Sequence, residues 1–221
     1  MGVCNEMKTN IAVFASGRGS NFAAIAKAIK SGRIKKANLA LLVCDNLNAP
    51  VILKAKKFKV KVALVRRDIF PTKNDFEDRI IRYLKENKIG LIVLAGFMRL
   101  LSLGFIRVYK NRIINIHPAL LPSFKGAEGI KDAFDYGVKI TGVTVHFVDG
   151  QMDHGPIIMQ KEVKIEEKDT LESLEVKIHK VEHKLYPEAI NSLIREKLRI
   201  KGRRVIISNR QSRKRPQSDL R

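Results

Sequence analysis

The sequence contains no tryptophan, two cysteines and only 6% aromatic residues in 221. Cys4 and Cys44 stand alone, without the spacing of a zinc motif or a disulfide framework, and read as reduced thiols of a cytoplasmic protein. No apolar run approaches the roughly 20 residues that a membrane span requires. The amino terminus, MGVCNEMKTN, lacks the apolar core of a secretory signal, and Glu6 stands where a myristoylation site carries serine or threonine. Acidic residues are also scarce, 22 against 43 Lys/Arg, which leaves a net charge of +21. Residues 191–221 hold eleven Lys/Arg and two Asp/Glu, so they contribute +9 and the other 190 residues +12. Such a surface suits nucleic acid or small anionic molecules. The tail from residue 209 onward is polar and basic without apolar periodicity, and is expected to be disordered.

With 45% hydrophobic and 29% charged residues the chain is a globular protein, expected to form one domain over residues 1–208. NIAVFAS, ANLALLVCD, KVALVRR and IGLIVLAG are short apolar runs, as in strands buried on both faces. Between them lie helical stretches: FAAIAKAIKSG, APVILKAKKFK, and TKNDFEDRIIRYLKENK with Thr72 as cap and Phe76, Ile80, Ile81 and Leu84 at helical spacing. FMRLLS leads to a short helix and then to the strand RIINIH. This alternation predicts a doubly wound, mostly parallel α/β sheet with right-handed crossovers. Later, TGVTVHFVD and GPIIMQKEVKI read as strands, residues 170–197 as a long helix bent near Pro187, and LRIKGRRVIIS as a hairpin. The sheet is therefore expected to be mixed towards its C-terminal part, with residues 9–100 forming a phosphate-binding half and residues 101–208 a second half.

SGRGSN follows the first strand. Glycines let backbone approach an anion, and the helix that follows offers free N–H groups and a positive dipole end. Gly19, Ser20 and Asn21 are thus candidate phosphate ligands. Phe22 replaces the third glycine of a dinucleotide fingerprint, and no Gly-Lys-Ser/Thr of a P-loop follows. A tight turn that only caps a helix remains the alternative.

Asn115 and His117 share one face of the strand RIINIH, and Pro118 ends its ladder. Both therefore sit at the carboxyl end, where open α/β sheets bind ligands. Downstream, VTVHFVDGQMDHGP supplies His146, Asp149 and Asp153. A carboxylate folded back onto His117 would favour imidazolium, and an imidazolium beside an Asn amide suits an oxyanion. Metal binding by His117, His146, Asp149, Asp153 and His154 competes with this reading, although no spacing matches a zinc motif.

ASGRGSNF, VLAGFMRLLS, IINIHPALLPSFKG, TGVTVHFVDGQMDHGPIIMQ and VEHKLYP, in this order over about residues 9–207, together resemble the folate-dependent phosphoribosylglycinamide formyltransferases of purine biosynthesis. The resemblance implies a Rossmann-like formyltransferase fold and a reaction that moves the formyl group of N10-formyltetrahydrofolate onto 5′-phosphoribosylglycinamide. No metal, membrane or nucleic acid would be required, and the protein would be a monomer or homodimer. By the same resemblance Asn115, His117 and Asp153 form the catalytic trio, with His146 in support. Gly19, Ser20, Asn21 and Glu182 hold the ribonucleotide. Lys73, Met98, Arg99, Leu100, Leu101 and Asn115, with Asp149, Gly150, Gln151 and Met152 of a closing loop, face the folate.

Lys125 before Gly126, His154 after Asp153 and His179 depart from the usual pattern of that family. Methionyl-tRNA formyltransferase shares the Asn-x-His chemistry, but it lacks the Gly-Ser-Asn loop and generally carries a larger C-terminal domain. Formyltetrahydrofolate hydrolase shares the core and normally adds an N-terminal regulatory domain, whereas the first strand here begins within about ten residues of Met1. A non-enzymatic nucleic-acid binder would use the basic residues and leave the Asn/His/Asp set without a role.

Overall fold

The computed structural model describes residues 8–208. The tail beyond residue 208, expected to be disordered, lies outside the described residues. Five parallel strands form the first part of one sheet: β1 (Thr9–Phe14), β2 (Ala37–Cys44), β3 (Lys61–Leu64), β4 (Ile89–Leu94) and β5 (Ile113–His117). β6 (Ile140–Phe147) and β7 (Ile157–Lys164) continue it antiparallel. A hairpin of β8 (Lys197–Lys201) and β9 (Arg204–Ser208) closes the order β3-β2-β1-β4-β5-β6-β7-β9-β8, joined through the single parallel bridge Ile157↔Arg204.

The apolar runs become central strands because both of their faces are covered. In β1, Ile11 and Val13 enter one core while Ala12 and Phe14 enter the other, the period-2 alternation of a strand. The first core is closed by α1 (Ser20–Lys30), α2 (Val51–Lys57) and α6 (Leu171–Arg195), the second by α3 (Lys73–Glu86) and α4 (Leu103–Val108). Thr72 caps α3 in a reciprocal pair with Asp75, and Thr170 caps α6 likewise with Ser173. Strand order reverses direction between β1 and β4, so the crevice at their carboxyl ends is the expected ligand position.

Some boundaries differ from the sequence reading. The third strand stops at Leu64, where its ladder with β2 ends, and a single 3-10 turn, Arg67–Ile69, follows. An unanticipated helix, α5 (Gly129–Tyr136), packs Ile130, Ala133 and Phe134 inward and ends at Gly137, whose φ is 80°. Two turns of helix give too few periods to stand out in a glycine-rich segment. α6 runs uninterrupted through Pro187, with Leu174, Ile178, Leu185, Tyr186 and Ile190 buried.

Candidate active site

β5 presents Asn115 and His117 on the same face, as strand alternation requires. Its parallel register sets Asn115 level with Leu94 at the end of β4, and its antiparallel register sets Asn115 opposite His146 of β6. Asp153 belongs to the β6–β7 loop and returns to this face. Its Oδ2 lies 3.4 Å from His117 Nδ1, and its Oδ1 lies 3.6 Å from His146 Nε2 and 3.4 Å from the Asn115 amide. Its φ of 48° is in the left-handed region, which aspartate tolerates better than most residues. The Gly126 N–H donates to Oδ2 at 3.0 Å.

Both imidazoles are turned by backbone carbonyls. His117 Nε2 donates to Phe124 O at 2.7 Å, and His146 Nδ1 donates to Phe147 O at 2.8 Å. The opposite nitrogen of each ring therefore faces the carboxylate. His146 and His117 are buried, at 2% and 3% exposure, so water does not compete for these bonds. Burial disfavours ionisation of Asp153. The His146 hydrogen bond, the Gly126 N–H and the two imidazoles outweigh it and hold the carboxyl below its ordinary range.

The sequence reading did not include Phe124, Gly126 or Gly129 in this arrangement. A Cβ at Gly129 would stand 3.0 Å from His117 Nε2, too close for a side chain without movement. No spacing rule could have found these residues, because their contribution is backbone or the lack of a side chain.

The Gly-Ser-Asn loop leaves β1 at the sheet's reversal point. Gly19 adopts φ 67°, and a Cβ there would collide with Val51 of α2, so both conformation and space require glycine. No side chain caps α1, and its first turn has no acidic residue, which leaves a helix start open to an anion. The side-chain amide of Asn21 donates to Glu182 Oε2 at 3.0 Å, and Asn21 is only 8% exposed. His179 Nδ1 meets the same Glu182 oxygen at 2.9 Å. That hydrogen bond raises the His179 pKa against the effects of burial and of Arg18. Glu182 thus ties α6 to the loop.

The segment after β4 carries exposed Met98 and Leu100, while Leu101 packs on the second core. Met98 N–H donates to Ser16 Oγ at 3.1 Å, and Arg99 Nε donates to Asp45 Oδ2 at 2.5 Å. Lys73 lies 3.9 Å from Glu77, whose buried carboxylate also accepts the Ser102 N–H and hydroxyl. Exposed Leu103 and Met152 add to the apolar surface, and Leu103 packs so closely over Gly150 that a Cβ there would collide with it. In the Asp149–Asp153 loop, Asp149 accepts from Gln151 N–H and pairs with His154 at 2.8 Å. Burial works against the ionised form of Asp149, but these partners and Arg203 hold its pKa below the usual value. Arg203 donates to His154 O at 2.6 Å, so the departure at His154 connects this loop to the β8–β9 hairpin.

Asn115, His117 and Asp153, the trio that the sequence resemblance implies, thus stand together at the carboxyl end of β5, on the same edge of the sheet as the glycine loop. The formyl transferase family model matches residues 9–190, and the chain belongs to that family. It is 48% identical to the phosphoribosylglycinamide formyltransferase of Bacillus subtilis, over 83% of this chain and 93% of that protein. Among solved structures, glycinamide ribonucleotide transformylase 1 of Symbiobacterium toebii aligns with a TM-score of 0.90 at 36% identity, over 95% of this chain and 99% of its own. The phosphoribosylglycinamide formyltransferase of Bacillus halodurans aligns with a TM-score of 0.82 at 43% identity, over 85% and 96%.

Proposed function

We propose that this formyltransferase moves the formyl group of N10-formyltetrahydrofolate to the amine of 5′-phosphoribosylglycinamide, giving formylglycinamide ribonucleotide in purine synthesis. The observation that carries the reading is the convergence of Asn115, His117 and His146 on the Asp153 carboxylate, all within 3.6 Å. The open start of α1 at Gly19 and Ser20 suits a phosphate, and Glu182 suits ribose hydroxyls. The exposed side chains Met98, Leu100 and Met152, together with Leu101, Lys73, Arg99 and the loop Asp149–Gly150–Gln151, fit the flat apolar ring and anionic tail of a folate.

Formyl folate supplies an activated one-carbon group. The chain's own residues then act on the charge that develops when the acceptor amine adds to it. Asn115 and the imidazolium of His117 stabilise the oxyanion on the formyl oxygen. Asp153 keeps His117 charged and helps the amine proton reach the departing folate nitrogen. His146 orients Asp153 and Asn115.

The test is a formyl-transfer assay that offers phosphoribosylglycinamide, initiator tRNA and water as competing acceptors. Formylation of the ribonucleotide alone is expected. Formyl-tRNA or free formate as the main product would overturn the assignment.

A further inference from the structure

The turns at the amino ends of the parallel strands lie at the opposite end of the sheet from Asn115 and His117. α1, α2, α3 and α4 each run back to this end and deliver the chain to β2, β3, β4 and β5. Residues 30–36, 56–61, 85–88 and 107–112, which span these turns, contain thirteen Lys/Arg and one acid, Glu86. All thirteen cations are exposed. Their net of +12 equals the whole net charge of residues 1–190, so the rest of that span balances to zero.

Cations at helix C-termini are favoured by the helix dipole. Each terminus contributes about −0.5 of a charge, so four offset about two of the twelve. Three ion pairs of this half lie at the other end of the sheet: Arg66–Asp68, Arg99–Asp45 and Lys73–Glu77. Among the described residues, Arg33, Lys35, Lys59, Lys61, Lys85 and Lys88 have no carboxylate partner.

The amino ends of β1, β2, β3 and β4 are tied to one another. Asn38 donates to Asn10 Oδ1 at 3.0 Å, Asn10 donates to Asn87 O at 2.8 Å, and Lys61 donates to Asn87 Oδ1 at 3.4 Å. A groove of about 470 Å³ between them is lined by Lys59, Lys61 and Lys88 and by these amides, with Glu86 as its one carboxylate. Five strand ends at ~4.8 Å spacing make the row about 20 Å wide.

We propose that this amino-end face binds the phosphodiester backbone of a nucleic acid, independently of the formyl-transfer site. A row of lysines with amide groups between them suits successive phosphates, and charge alone then supplies affinity without base readout. Among the four segments Val108 is the one large apolar side chain that is exposed, which offers a lipid bilayer little to accept by insertion.

The test is fluorescence anisotropy of the full-length protein with a short labelled RNA, and with DNA of the same sequence, over a salt series. The variant Lys59→Gln/Lys61→Gln/Lys88→Gln is expected to bind about tenfold or more weakly, and its salt slope to fall by about 2, from ~0.7 per phosphate contact. A control variant, Lys139→Gln/Lys161→Gln/Lys168→Gln, is expected to retain wild-type binding. Formyl-transfer activity should be unchanged in both, which also reports an intact fold. Should the triple variant melt early, Lys88→Gln alone carries the test through about one third of the slope change. Unchanged affinity in the triple variant, or equal loss in the control, overturns the proposal. So does binding to phosphatidylserine vesicles with none to RNA or DNA.

Discussion

Asp153 Oδ2 and His117 Nδ1 face each other at 3.4 Å, although one residue ends a strand and the other lies in a loop beyond the next strand. His117 Nε2 already donates to the Phe124 carbonyl. Nδ1 is therefore the ring nitrogen left to face the carboxylate. The same carboxylate also reaches the Asn115 amide, so the three groups proposed to act on the formyl oxygen stand together.

The same pair gives an acid-side stability signature. Asp153 is held below the ordinary carboxylate range, so its contribution is present above the unfolded value of 3.8 and is lost as pH falls through the lower folded value. Asparagine also tolerates the left-handed backbone at this position. Melting temperature followed from pH 6 towards pH 3 should fall less steeply in Asp153→Asn than in the wild type.

Gly19→Ala should damage both fold and binding. A non-glycine residue at φ 67° costs about 1–2 kcal/mol, and the added methyl also meets Val51. Denaturant unfolding should show a loss of at least that size. The Michaelis constant for the ribonucleotide should rise more than that for the folate.

Much of this was legible in the residues. Continuous apolar runs marked the central strands, because burial on both faces removes the polar alternation that a half-exposed strand shows. Asn115 and His117 were legible as a pair because strand alternation fixes their shared face. Asp153 was legible only as a candidate, since no local rule says where a loop returns. The Asn21–Glu182–His179 contact joins the loop after β1 to a helix late in the chain, and only the folded arrangement reveals it. Backbone partners such as Phe124 O and Gly126 N–H carry no residue-type signal. α5 and the early end of β3 were missed because short elements give few periods.

Tyr186→Phe should loosen the floor of the site. This fully buried hydroxyl donates to Leu94 O at 2.7 Å and lies 3.2 Å from Ile114 O, so α6 fastens to the end of β4 and to the adjacent Ile114 of β5. Removing it leaves buried carbonyls short of a donor, at a cost of about 1–3 kcal/mol. Chemical denaturation of the two proteins measures this.

His179→Gln should change the pH profile on the alkaline side. The Glu182 hydrogen bond raises the folded-state value of His179, with burial and Arg18 opposing and Glu175 adding a smaller lift. The stabilisation is full below the unfolded value of 6.5 and is lost as pH rises through the raised folded value. The difference in melting temperature between wild type and His179→Gln should shrink across that range.

Removing the Asn115 amide should cost about 100- to 1000-fold in kcat, the usual effect of losing an oxyanion donor. Asn115→Ala should melt near the wild type, because Asn115 is only partly buried and its two bonds, at 3.3 and 3.4 Å, are long. Steady-state rates with phosphoribosylglycinamide as acceptor measure the loss.

The most direct measurement is kcat for Asp153→Asn with formyl folate and phosphoribosylglycinamide, both saturating, beside its melting temperature. Asp153 acting through the charge of His117 and through proton transfer predicts a fall of roughly 10²- to 10⁴-fold, with a folded protein and little change in either Michaelis constant. A folded Asp153→Asn enzyme that turns over at the wild-type rate would contradict the account.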